Sequence, residues 1–422
     1  MIRRLAGVVA LVVLSVGNSF AQAPASAPGS QAPAPVAAGR GGGANTPVKS
    51  PEVSADGRVT LRLRAPNAKE VLAAIGGKRL PMAKSEQGVW SVTTDVLTPD
   101  FYTYSLVVDG TSLNDPSNRA AQTSFGSFQS MVVVPGKDAW FPQPGVARGA
   151  IARHAFHSTV ANDDREFYVY TPAGYDARRS QPYPVLYLLH GLGDDAERWM
   201  NQGGAPNILD NLIAQGKAVP MVMVTTLGYG VSNGPAGART PENITGYTKS
   251  LLDEVMPRVD KAYNVSKNRD QRAIAGLSMG GAETLYTGLN HLDTFAWIAS
   301  FSGAFVMWPG ANARADASPA GPAPAPAAGR GGPAPVQVMD EASFSKNFPT
   351  LDAKANSQIR MLWIACGTAD GLIGVNRQFK SWLKSKNVQF TELEIPDVGH
   401  VWPLWRQNLT DVAQKFFQPK GK

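Results

Sequence analysis

The sequence predicts an α/β protein: a mostly parallel sheet with helices on both faces, preceded by a small antiparallel β-sandwich. Three observations predict it. From Ile151 onward, near-continuous apolar runs alternate with helical patterns, the signature of strands buried on both faces. Residues 51 to 137 instead alternate apolar and polar with period two and show no helical period of any length. Finally, an apolar run, Gln271-Arg272-Ala273-Ile274-Ala275, leads straight into Gly276-Leu277-Ser278-Met279-Gly280 and then into a small-residue helix start.

The elements follow in order. A chain of 422 residues exceeds the comfortable size of one core, so two domains are expected. Residues 1–21 combine Arg3 and Arg4, an apolar run from Leu5 to Val16 and a small-x-small site ending at Ala21, which predicts a secretory signal peptide. The run is short for a membrane span, and no other segment approaches the ~20 apolar residues a span needs. A secreted or periplasmic location is therefore expected. Residues 22–50 are Ala, Pro, Gly and Ser, a composition that cannot offset the entropy of ordering and predicts a disordered linker. In 51–137, Val59–Arg64, Val89–Thr93 and Tyr102–Val108 read as strands parted by turns at Asp56-Gly57, Gly76-Gly77 and Asp109-Gly110.

Over 150–419, strands are expected at 166–171, 185–190, 221–226, 272–275, 297–301, 361–366 and 389–395. Helices are expected at 207–215, 248–262, 281–290, 375–384 and 402–417. A second Ala/Pro/Gly tract at about 309–337 reads as a disordered surface insertion. The single cysteine, Cys366, excludes an internal disulfide and any cysteine-based zinc site. The formal charge is +7, two of it in the leading segment, and no Lys/Arg run is interleaved with aromatics. Nucleic acid is not an expected partner.

Chemistry centres on Ser278. A strand-to-helix turn this tight strains the serine and demands residues without bulk two positions before and after it, which Gly276 and Gly280 supply. Such a turn holds the hydroxyl at the top of a sheet and aims the N–H groups of the following helix at a developing oxyanion. Serine needs a base oriented by a buried acid. Of five histidines, His400 lies after the last strand and before the last helix and is the candidate base. Asp370, after a strongly apolar strand, is the candidate acid. Asp397 competes, but three residues of chain give it little freedom to reach the far ring nitrogen. The order Ser278, Asp370, His400 is that of the α/β-hydrolase fold. Oxyanion donors are expected at Met279 N–H and Leu192 N–H, with Gly191 as the alternative, and His190 is expected to hold that loop. His154 and His157 are spaced for neither a helix-borne zinc pair nor a triad, so no metal and no cofactor are expected.

These motifs carry a family resemblance. Tyr168-Val169-Tyr170-Thr171-Pro172, Pro184 through Gly193, Gly276 through Gly281 and Gly399 through Trp405 together resemble the esterase-D-type esterases. That group includes feruloyl and acetyl-xylan esterases, enterochelin-esterase-like enzymes and the antigen 85 mycolyltransferases. Gly88 through Val92 and Val108-Asp109-Gly110 leading to Asn114-Asp115-Pro116 are similar to the early-set, immunoglobulin-like domain that often precedes such esterases. One departure is Leu227-Gly228-Tyr229-Gly230, where many relatives carry a proline-asparagine-glycine turn. The resemblance implies a secreted serine carboxylic-ester hydrolase, removing feruloyl or acetyl groups from a carbohydrate or acting on a small ester. Acyl transfer to a sugar hydroxyl, siderophore ester hydrolysis and carbohydrate binding without catalysis are the alternatives. Trp199, Tyr229, Trp402 and Trp405 are candidate walls for a sugar or phenolic group, and Asp195 a candidate contact to the alcohol portion.

Overall fold

The computed structural model describes residues 48–310, 339 and 341–418. The expected signal segment, nearly all of the first linker and most of the 309–337 insertion lie outside these residues.

Residues 52–134 form two antiparallel sheets. The first has strands β1 (Glu52–Val53), β2 (Val59–Arg64), β5 (Ala83–Lys84) and β6 (Val89–Thr93), in the order β1-β2-β6-β5. The second contains β3 (Val71–Ile75), β4 (Lys78–Pro81), β7 (Asp100–Val108), β9 (Ala121–Ser124) and β10 (Ser127–Val134), ordered β4-β3-β7-β10-β9, with β8 (Thr111–Leu113) paired to β7. Alternation decides which side is buried: Val59, Leu61 and Leu63 of one sheet and Val71, Ala73, Ile75, Tyr104 and Leu106 of the other share a single apolar cluster. The Trp90 ring lies in that core and its indole N–H donates to Ala65 O at 2.8 Å.

The remaining strands are β11 (Ala150–Ser158), β12 (Asp163–Thr171), β13 (Val185–Leu189), β14 (Val222–Thr226), β15 (Arg272–Leu277), β16 (Trp297–Phe301), β17 (Met361–Gly367) and β18 (Thr391–Ile395). They form one eight-stranded sheet in the order β11-β12-β14-β13-β15-β16-β17-β18. The pairs β11–β12 and β12–β14 are antiparallel and all others parallel. This is an α/β-hydrolase-like fold. β13, β14 and β15 are buried at every position, so successive residues feed opposite layers. Val185, Tyr187 and Leu189 join the layer with α2 (Pro241–Ser250), α3 (Met256–Ala262), α4 (Met279–Asn290), α5 (Glu341–Asn347) and α6 (Ile373–Ser385). Leu186 and Leu188 join α1 (Ala205–Ala214) and α7 (Trp402–Ala413) on the other face.

The expected boundaries shift at the edges. β11 is an extra strand, and β18 is shorter than expected, with Glu392 and Glu394 paired to Lys380, Lys384 and Arg377. Charges on an edge strand discourage pairing with another chain. The expected 248–262 helix is longer and has a wide π turn at Leu251–Val255, just before Pro257, whose ring and missing N–H disturb the regular ladder. Glu254 in that turn is buried and accepts from Ser158 Oγ, Thr159 N, Thr159 Oγ1, Val160 N and Ser250 Oγ, tying the β11–β12 turn to the helix.

The described residues cluster as one compact unit, and the seam between the antiparallel sheets and the eight-stranded sheet is chemically specific. Arg406 of α7, 1% exposed as a side chain, ion-pairs with Asp100 of β7, donates to Gln202 O and lies over the Phe101 ring at 4.6 Å. Burial would penalise an unpaired guanidinium heavily, so this contact fixes the register of the two parts.

Candidate active site

β15 ends in the turn that holds Ser278 at φ 54° and ψ −116°, a conformation that costs energy for any residue with a side chain. The turn is held from three sides: Ser278 N–H donates to Phe301 O at 2.9 Å, Ala304 N–H to Ser278 O at 2.9 Å, and Gly280 N–H to His190 O at 3.0 Å. A Cβ on Gly276 would lie 2.4 Å from Gly280 O, and one on Gly280 would lie 2.4 Å from His190 O. Both positions therefore admit only glycine without moving backbone.

The loop after β13 lies directly above. His190 is buried; its Nδ1 faces Gly191 O at 2.8 Å and its Nε2 accepts from Gly228 N–H at 2.9 Å. An accepting Nε2 requires the proton on Nδ1, so the ring is neutral. Burial pushes its pKa down to about 4. One ring thus holds the loop after β13 to the loop after β14. Gly191 approaches Ser278 so closely that a Cβ there would stand 3.4 Å from Ser278 Cβ and 2.7 Å from Leu277 Cδ1. Gly193 N–H is taken by Tyr229 Oη at 2.8 Å, and that hydroxyl donates on to Asp194 O at 3.0 Å. Among the described residues, the N–H groups of Leu192 and Met279 have no partner. Met279 N–H is the first of α4, where the helix leaves its donors unsatisfied.

Asp370 sits after β17 and His400 after β18. His400 Nδ1 lies 2.8 Å from Asp370 Oδ2, while Asp370 Oδ1 accepts from Leu372 N–H at 2.9 Å. The Asp370 side chain is 1% exposed and that of His400 37%. Burial pushes the Asp370 carboxyl up, but the hydrogen bond and charge of His400, with Leu372 N–H and the Ser302 hydroxyl, hold it below the ordinary carboxylate value. Asp397 is exposed on its turn, at φ 58°. Behind the imidazole stands Trp405, edge-on with ring centroids 4.8 Å apart, its indole N–H on Ser302 Oγ at 3.1 Å. Asp370 and His400 are thus joined, while Ser278 Oγ and His400 Nε2 form no hydrogen bond among the described residues. A serine on a strained turn, unpaired N–H groups on the next residue and on the loop packed against that turn, and an imidazole bonded to a carboxylate are the parts that nucleophilic acyl transfer uses.

Three of the expected substrate walls are buried. Trp199 is fully buried, its indole N–H donating to Leu189 O at 2.9 Å. Tyr229 is fully buried and its hydroxyl is spent on the loop. Trp405 is 5% exposed and supports His400 rather than facing a cleft. Trp402 remains half-buried, packed edge-on against Trp199 and Trp405. Asp195 is half-buried and accepts from Thr123 Oγ1 at 3.1 Å, so its partner is the N-terminal part of the chain. Sequence reasoning missed Ser302, whose only signal is a serine at a strand end, and the hairpin turn at Phe125, whose N–H donates to Gly193 O at 2.9 Å.

The profile of the family described as "Putative esterase" matches residues 158–416. The endo-1,4-beta-xylanase/feruloyl esterase of Xylanibacter ruminicola is 30% identical over 383 residues, covering 87% of this chain; the chain spans 46% of that relative's length. In three dimensions the chain is similar to the enterobactin esterase of Shigella flexneri, with a TM-score of 0.56 at 17% identity over 86% of this chain and 93% of that one. A ferulic acid esterase from Anaeromyces mucronatus gives a TM-score of 0.52 at 22% identity over 67% of this chain and 96% of that one. At those identities the structural likeness speaks to fold, and it is the sequence match that decides membership: the chain belongs to the Putative esterase family.

Proposed function

We propose that the chain is an exported serine carboxylic-ester hydrolase that removes feruloyl or acetyl groups from a carbohydrate through an acyl-enzyme. The observation that carries this reading is the strained turn at Ser278, with the unpaired Met279 N–H next in the chain and the loop that carries the unpaired Leu192 N–H packed against it, within a fold that also supplies the His400–Asp370 pair. In this mechanism His400 takes the Ser278 proton as Oγ attacks the ester carbon, and the two N–H groups hold the oxyanion. Asp370 fixes the tautomer with Nδ1 protonated. His400 then protonates the leaving alkoxide, and the same imidazole activates water for deacylation. Relatives named for feruloyl and acetyl ester hydrolysis support the acyl group, and the sequence of residues 1–21 supports export. We read residues 51–137 as an early-set β-sandwich domain, supported by two antiparallel sheets around one core.

The similarity to enterobactin esterases extends over more of the chain than that to the ferulic acid esterase, which keeps a siderophore trilactone as a second substrate to assay. The test is initial-rate hydrolysis of methyl ferulate, p-nitrophenyl acetate, acetylated xylan and a trilactone siderophore by the wild type and Ser278→Ala. Serine-dependent turnover of the first three supports the reading. Turnover of the trilactone alone replaces it with siderophore hydrolysis, and no turnover on any ester moves the function to acyl transfer or binding.

A further inference from the structure

We propose that Phe125, on the β9–β10 turn of the N-terminal sheets, is a specificity-determining wall of the ester site that stacks on a sugar ring of the substrate. The inference rests on the carbohydrate-ester reading above and assigns part of its recognition to the other half of the chain.

The turn is attached to the rim of the site rather than lying near it by chance. Phe125 N–H donates to Gly193 O at 2.9 Å, one residue from the unpaired Leu192 N–H. Thr123 Oγ1 donates to Asp195 Oδ2 at 3.1 Å, and Arg198, itself paired to Asp194, donates to Thr123 O at 3.2 Å. The Phe125 ring meets Tyr229 edge-to-face, 5.4 Å between centroids and 86° between planes. Tyr229 in turn is the residue whose hydroxyl holds Gly193. On another side the backbone of Gly234 comes so close that a Cβ there would stand 3.0 Å from Phe125 Cε1.

The ring is therefore fixed at its base, yet the residue stays 39% exposed. The part of the ring left open on this two-residue turn keeps apolar area in water, and a rigid, pre-oriented aromatic face is what a pyranose needs to pack its C–H groups. Ser124 and Ser127 bracket the Phe125-Gly126 turn as paired residues, and Asp195 is joined to Thr123 of the same hairpin, so polar residues lie in the chain on both sides of the aromatic one. Small esters end at the acyl bond, whereas a ring attached to the alcohol oxygen extends out of the site toward its rim.

The test has two arms. In the Ser278→Ala background, calorimetric binding of a feruloylated arabinoxylan oligosaccharide should weaken about tenfold on adding Phe125→Ala and be retained on adding Phe125→Trp. In the active enzyme, Phe125→Ala should lower kcat/KM for that oligosaccharide about tenfold more than for methyl ferulate, mainly through KM. Equal losses on both substrates, loss with Phe125→Trp as large as with Phe125→Ala, unchanged oligosaccharide affinity, or no oligosaccharide binding at all would each overturn the proposal. If the wild type hydrolyses no ester, the hydrolase reading fails by itself, and the binding arm still decides the role of Phe125.

Discussion

Asp370 Oδ2 and His400 Nδ1 stand 2.8 Å apart at the carboxyl ends of neighbouring strands, and this bond leaves Nε2 as the only ring nitrogen able to accept a proton. Asp370→Asn would present an amide that can stabilise the wrong tautomer and cannot balance an imidazolium. Activity on methyl ferulate should fall by about 10³–10⁴-fold in kcat with KM little changed. The melting temperature should move far less than the rate, and parallel measurement of both separates lost chemistry from lost fold.

Gly191 is predicted to be a control point for the oxyanion. Its missing Cβ leaves room for Leu277 and Ser278, so Gly191→Ala must push the loop outward and carry Leu192 N–H with it. We expect about a 10²-fold loss in kcat, the scale of one lost donor, with thermal stability nearly retained. A loss of stability as large as that expected for Gly280→Ala would contradict this.

His190 should behave as a structural base that stays neutral through the mildly acidic range. Its folded pKa of about 4 lies below the ordinary imidazole value of 6.5, so the unfolded chain binds its proton first as pH falls. The stabilisation is complete above pH 6.5 and is lost between 6.5 and 4, amounting to about 3 kcal/mol for this fully buried group. The stability advantage of the wild type over His190→Gln should therefore shrink by that amount from pH 7 to pH 4. An NMR titration should show the His190 ring still neutral at pH 5, with its proton on Nδ1.

The ion pair across the seam is predicted to couple the two parts of the chain. Arg406→Met leaves Asp100 without its cation, and Asp100→Asn leaves a buried guanidinium uncompensated. Each should destabilise by about 3 kcal/mol in urea unfolding, and the double variant by less than the sum. Strict additivity would show that the pair contributes nothing as a pair.

The centre of the fold was legible because β13 through β17 are apolar along nearly their whole length, and because only a strand followed by a small-residue helix explains the spacing around Ser278. The edges were not. β11 alternates exposed and half-buried residues, a pattern without the apolar mass that marks an inner strand. α5 is a short helix beside a low-complexity tract, with too few turns for a periodic signal. At the site, residue type and strand-end position pointed to Ser278, Asp370 and His400, which the fold gathers at one end of the sheet. Aromatic identity could not say which rings are open. Trp199, Tyr229 and Trp405 turned inward because their polar atoms found partners in Leu189, Gly193 and Ser302, a matter of three-dimensional geometry. Phe125 was invisible for the same reason: nothing in the sequence near it announces Gly193.

The seam at Arg406 also sets what can be engineered. An attempt to obtain a minimal hydrolase by starting the chain after residue 137 would strip Asp100 from a guanidinium that is 1% exposed and Phe101 from the ring faces packed beside it. The shortened chain would carry an orphaned charge on the very helix whose first turn supports His400. For domain shuffling, the practical unit of exchange is the whole span from the first sheet to the last helix, and a graft that respects only the catalytic motifs would inherit the motifs without their alignment.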